Sequence, residues 1–191
     1  MPHRDAYRPE FPAAGAVPAA FAAAFAAVAR WQDAGWQLFP LDAATAAGTD
    51  FAALLLQLQY HNQQVWHYED MGRGETTDAI VRGWRGAMAH NKHRNQCINA
   101  IDALLGEHHV PAAPLHSESL GALCDRITIL QLKQRAFAAR DQALAAAVAA
   151  QRDELVAYAA SLARRLAAGE VRIQTVPRLK LYLPPDPVAH R

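Results

Sequence analysis

The stretch that decides the fold is residues 50–105, DFAALLLQLQYHNQQVWHYEDMGRGETTDAIVRGWRGAMAHNKHRNQCINAIDALL. Phe51, Leu54, Leu55, Leu58 and Val65 fall on one face of a helix at 3.6 residues per turn, with Thr49 or Asp50 as its cap and an end near Met71. Gly72-Arg73-Gly74-Glu75-Thr76 reads as a turn. Thr77 or Asp78 then caps a second helix running to about Leu105, with Ile80, Trp84, Ala87, Ile98, Ile101 and Leu105 as its apolar stripe. Two long helices joined by so short a turn pack antiparallel, stripe against stripe.

Working outward, residues 1–17 form a Pro-rich start that reads as mobile. Pro18 suits a first helical residue and Gly35 an end, with Phe21, Phe25 and Val28 at helical spacing. The uncharged run Phe11–Ala29 superficially resembles the apolar part of a signal peptide. Asp5 and Glu10 ahead of it, Pro12 and Pro18, and Ala in place of Leu favour an amphipathic helix. Trp36–Gly48 is a connector, and Pro111 and Pro114 mark a loop from Gly106 to His116. A helix starting near Leu120 and unbroken to Gly169 would be ~75 Å long, too long for a domain of this size, so a break is expected near Arg140–Ala147. The tail Val171–Leu183 reads as extended, and Pro177 and Pro184 exclude a central strand. The expected architecture is all-α: an antiparallel bundle of about five helices over residues 18–170, followed by an extended C-terminal tail, 171–191.

Composition agrees. Ala accounts for 43 of the 191 residues, and Ala favours helices that pack closely. Lys and Arg total 19 against 18 Asp and Glu, a net charge of +1, so no field of one sign favours nucleic acid or an anionic membrane. Apart from the Ala-rich run Phe11–Ala29, no stretch approaches the ~18 apolar residues of a membrane span. Two Cys are too few for a disulfide framework and fit a reducing compartment, so a cytoplasmic location is expected. The Ala-rich helix faces also suit packing against a second subunit.

Polar residues interrupt the apolar stripes. Asn62, Glu69 and Arg73 share the face of Phe51 and Leu58, and Asn91, Arg94, Asn95 and Asp102 lie in or beside the stripe of the next helix. Burying such groups without partners costs several kcal/mol each, so they either pair internally or line a ligand cavity. The helix after Leu120 is apolar on two sides and should be central. It carries Asp125 on one stripe, with Arg126 and Lys133 on a flank. Its start, with Ser117, Ser119 and Gly121, offers hydroxyls and open N–H groups that can hold a phosphate or carboxylate, or simply a serine cap.

These same residues resemble a known family. Trp66-His67-Tyr68-Glu69-Asp70-Met71-Gly72-Arg73 is similar to a W-x-x-E-D-x-A-R element, and Asn91 through Asp102 to N-x-x-R-N-x-x-I-x-x-I-D. Ser117 through Lys133 is similar to S-E-T-P-G-x-x-x-D-R-x-x-I-L-x-L-K, and Lys180-Leu181-Tyr182 to a closing F-K-x-Y. In this order, over about residues 50–183, they resemble a bacterial family known as domain of unknown function four-two-five-four. Gly72 departs from its Ala, Ser119-Leu120 from its Thr-Pro, and Pro177 stands where it has Arg. The resemblance implies a helical protein serving cell-envelope glycan metabolism, lipopolysaccharide biosynthesis included, with genes near glycosyltransferases. It names no reaction.

Three chemistries follow. In the first, Arg73, Arg94, Arg126 and Lys133 neutralise a phosphorylated or other anionic small molecule, such as an activated sugar. Asn62, Asn91, Asn95, Asp102, Ser117, Ser119 and Gly121 would position it, and Glu69 or Asp125 would serve as general acid or base. No metal or other cofactor is required. In the second, Glu69, Asp70, Asp102, Glu118 and Asp125 hold a divalent metal for hydrolysis. No paired E-x-x-E or E-x-x-H supports this, and His90, His93, His108 and His109 read as solvated. In the third, the polar groups only fix helix register and the protein is a non-catalytic partner of a glycosyltransferase. Cys97 and Cys124 lack a recognisable base, and no phosphate-binding glycine loop occurs.

Overall fold

The structure, a computed structural model, describes residues 17–33, 41, 43–104 and 110–173. Helix α1 is Val17–Asp33, α2 Ala43–Ala47, α3 Phe51–Gly72, α4 Thr77–Ala103, α5 Leu120–Ala138 and α6 Gln142–Ala167. Two-residue strands β1, Leu115–His116, and β2, Arg172–Ile173, pair in parallel. The bundle is all-α, as expected, with the one-turn helix α2 added inside the expected connector. The start of the expected tail is pinned by that strand pair and by Arg172 Nε donating to the Ala113 carbonyl at 3.0 Å. Residues 1–16, Gly35 and the closing Lys180-Leu181-Tyr182 lie outside the described residues.

The helix starts have local causes. Side-chain oxygens of Asp50, Thr76 and Ser119 accept from the backbone N–H three residues on, at 2.9, 3.2 and 3.2 Å. The cap of α4 is thus Thr76, one residue before those anticipated. The break between α5 and α6 falls at Ala139–Asp141, at the leading edge of the expected region. There Asp141 accepts from Leu144 N at 2.9 Å and restarts the helix.

α3 packs along α4 and α5 along α6, α5 lies against α3 and α4, and α1 covers α3 and α6. The core joins Phe21 and Val28 of α1, Leu55 and Leu58 of α3, Ile101 of α4, Leu123 and Ile127 of α5, and Leu162 of α6. As expected, α5 is central, with ten buried residues between Leu120 and Leu132.

One stripe is corrected. Ile80 and Trp84 are exposed, at 45% and 65%, rather than core. The first half of α4 meets α3 through Gly83 and Gly86 instead. A Cβ on Gly83 would strike the backbone of Tyr68 and Gly72, and one on Gly86 the Tyr68 ring. This close approach turns the Ile80–Trp84 edge outward. Gly121 makes a similar contact between helices, since a Cβ there would fall on the Ile98 carbonyl oxygen of α4.

Candidate functional site

Where α3, α4 and α5 meet, the polar residues form a layer. Asp125, buried on α5, accepts a bidentate fork from Arg94 of α4, Nε to Oδ1 at 2.7 Å and Nη2 to Oδ2 at 2.5 Å. Asn62 of α3 donates from Nδ2 to Asp125 Oδ1 and to Thr128 Oγ1, both at 2.9 Å. The Thr128 hydroxyl in turn donates to the Asp125 carbonyl at 2.8 Å. Arg94 Nη1 donates to Asn91 Oδ1 at 3.2 Å, and Asn95 donates to the Asn91 carbonyl at 2.9 Å. The hydrogen bonds to Asp125 hold the Arg94 guanidinium above its usual range, against the cost of burial. The charges of Asp125 and of Glu69, at the exposed edge of the layer, add to this.

A second polar contact sits at the start of α5. Asp102 of α4, buried, accepts from Gly121 N at 2.7 Å and from the Ser119 hydroxyl. Burial pushes its carboxyl pKa up, and these two bonds oppose the rise. The helix start that could hold an external phosphate is therefore met by the protein's own carboxylate. Replacing Ser119 by Ala removes both the cap and the bond to Asp102, and is expected to lower stability by about 1 kcal/mol in urea unfolding. An unchanged midpoint would mean the cap is idle.

The same three segments carry the first three of the sequence elements quoted above. The family described as "Protein of unknown function (DUF4254)" matches residues 52–168, well over half of the chain. The chain belongs to the DUF4254 family. No curated protein and no solved structure matches it. The matched span contains every residue of both polar contacts.

In this DUF4254 protein the anticipated site residues divide into three groups. Asn62, Asn91, Arg94, Asn95 and Asp125 come together, with Glu69 at their edge, and Asp102, Ser119 and Gly121 meet at the start of α5. The rest stand apart: Arg73 pairs with Asp70 at 2.9 Å in solvent, Arg126 with Glu118, and Ser117 and Lys133 are exposed. Of the four anticipated cations, Arg94 alone bonds within the layer among the described residues. Among the described residues no three of His, Cys, Asp or Glu gather as a metal-ligand set.

Three features were not anticipated. Thr128 completes the layer, and a hydroxyl one turn after Asp125 was its signal. Gln59, fully buried one turn before Asn62, has no partner for its amide nitrogen or oxygen among the described residues. Finally, His61 of α3 and His90 of α4, the latter expected to be solvated, are both partly buried, with their Nδ1 atoms 3.0 Å apart, so that one donates and the other accepts. His93 stacks on His61 at 5.1 Å between ring centroids, and Tyr68 on His90 at 5.5 Å. Burial lowers the His61 pKa to about 4, helped by the charges of His90 and His93, and lowers that of His90 as well. Cys97 and Cys124 are free and buried; burial raises the Cys97 thiol to about 11 and that of Cys124 higher still.

Proposed function

We propose that this chain binds a small anionic metabolite of cell-envelope glycan metabolism, of the activated-sugar class, at the Arg94–Glu69 edge of the polar layer. The observation that carries the reading is the state of Arg94. Three of its five N–H donors are spent on Asp125 and Asn91, which fix the guanidinium. Two donors remain unused among the described residues on a side chain that is 27% exposed. A guanidinium held rigid, with spare donors at a surface, loses little entropy on gripping a ligand oxygen.

Charge refines the ligand class. Asp125 already compensates Arg94, and Glu69 adds negative charge beside it, so a bare phosphate gains little here. A sugar suits the edge better: its hydroxyls donate to Glu69 and accept from Arg94, while its anionic group stays in solvent. Glu69 then stands where a general acid or base would act. The non-catalytic alternative, a register-fixing layer in a glycosyltransferase partner, is favoured by the full pairing of Asp125.

Thermal unfolding against sugar phosphates and nucleotide sugars separates the two. The binding reading expects a selective rise in Tm with one compound, because a ligand for the folded state alone stabilises it. Glu69→Gln, an exposed change, abolishes that rise without altering the ligand-free Tm. No rise with any compound would transfer the reading to the non-catalytic partner.

A further inference from the structure

We infer that the N-terminal half of α4 is a self-association surface, and that a second copy of this chain packs on it antiparallel about a two-fold axis. Ile80, Val81, Trp84 and Met88 are 45%, 40%, 65% and 54% exposed, four large apolar residues on two turns of one helix. The face they form continues one already used inside the bundle, because α5 covers it further along, where Gly121 meets Ile98. An isologous contact sets this face against itself, the apolar ridge of each copy on that of the other.

The register of charge fits the same occupant. Val81 and Met88 are seven residues apart, as are Thr77 and Trp84, so these two positions form a coiled-coil-like seam. Asp78 and Arg85, also seven apart, occupy one flank of that seam and are exposed. Neither forms an ion pair among the described residues. In an antiparallel pair the like flanks meet. Setting Val81 against Trp84 of the second copy places Thr77 opposite Met88, and Asp78 beside Arg85, reciprocally. In this register each Trp84 packs over Val81 of the other copy, on the side of the seam away from Asp78 and Arg85. A buried Trp is the kind of contact that dominates interface energy.

Sedimentation equilibrium of the full chain tests this. The wild type is expected to dimerise, and Trp84→Ala to weaken the dimer by at least about 30-fold, as for a hot-spot truncation. Because Trp84 is exposed in one copy, its loss leaves the fold intact, which circular dichroism checks. Asp78→Arg and Arg85→Asp should each weaken self-association, and mixing the two variants should restore a dimer between them. A wild type that stays monomeric into the high micromolar range overturns the inference and leaves the face to a different protein. A dimer indifferent to Trp84→Ala, or charge variants whose mixture fails to recover, overturns it equally.

Discussion

Replacing Asp125 by Ala is expected to lower the unfolding free energy by about 3 kcal/mol. The carboxylate is the common acceptor of the three-helix layer, taking the Arg94 fork and the Asn62 amide. Its removal strands both donors at once. A buried pair broken from one side typically costs ~3–5 kcal/mol. The lower end applies because the Arg94 side chain is 27% exposed, and water recovers part of its hydration. The double variant Arg94→Ala, Asp125→Ala leaves no stranded charge and should cost clearly less than the two single changes added together. Urea unfolding of the four proteins in this cycle measures the coupling. Additive losses, or a loss below about 1 kcal/mol for Asp125→Ala, would remove the layer from the account of what joins α3, α4 and α5.

This layer also shows what a single sequence makes legible. Asn62, Arg94 and Asp125 stood out because each interrupts an apolar stripe, and a polar group at a core position must find a partner wherever the fold puts it. The helices themselves were legible from periodicity and from caps such as Asp50 and Ser119, which act through bonds three residues long. What spacing could not supply was how far each stripe is covered. Ile80 and Trp84 belong to the same face as Ile98, and the path of α5 covers Ile98 while the close α3–α4 approach at Gly83 and Gly86 turns them outward. The charges failed for a related reason: Arg126 and Arg73 project from plausible faces, but nearby acids, Glu118 and Asp70, take them first. The break before α6 did have a local signal in Asp141, hidden by the alanines around it. His90 was read as solvated and His61 was not singled out, because spacing within one helix does not show which residue of the next helix it meets.

That histidine pair makes the hairpin sensitive to acid. With the His61 pKa lowered from 6.5 to about 4 in the folded state, the unfolded chain takes up a proton first as pH falls. Above about pH 6.5 both states hold neutral His61 and its contribution is intact; between about 6.5 and 4 it is lost progressively. A shift of that size is worth ~3 kcal/mol for an enclosed group, and partial exposure reduces this to about 2 kcal/mol. Burial is the main cause of the direction, and the neighbours add to it: His90 and His93 of α4 face the ring, Tyr60 packs edge-on, and a second positive charge has to be placed beside the first. His90, also lowered, works in the same sense and steepens the loss. Carboxylates elsewhere contribute their own acid dependence, so the informative quantity is the difference between wild type and His61→Phe, which keeps a ring against His93 and removes the proton site. Urea unfolding from pH 7 to pH 4.5 should show the wild type losing more stability than the variant, with the gap opening below about pH 6.5. Parallel pH profiles would mean that the two rings accept protons without strain, and that the 3.0 Å contact does not join α3 to α4.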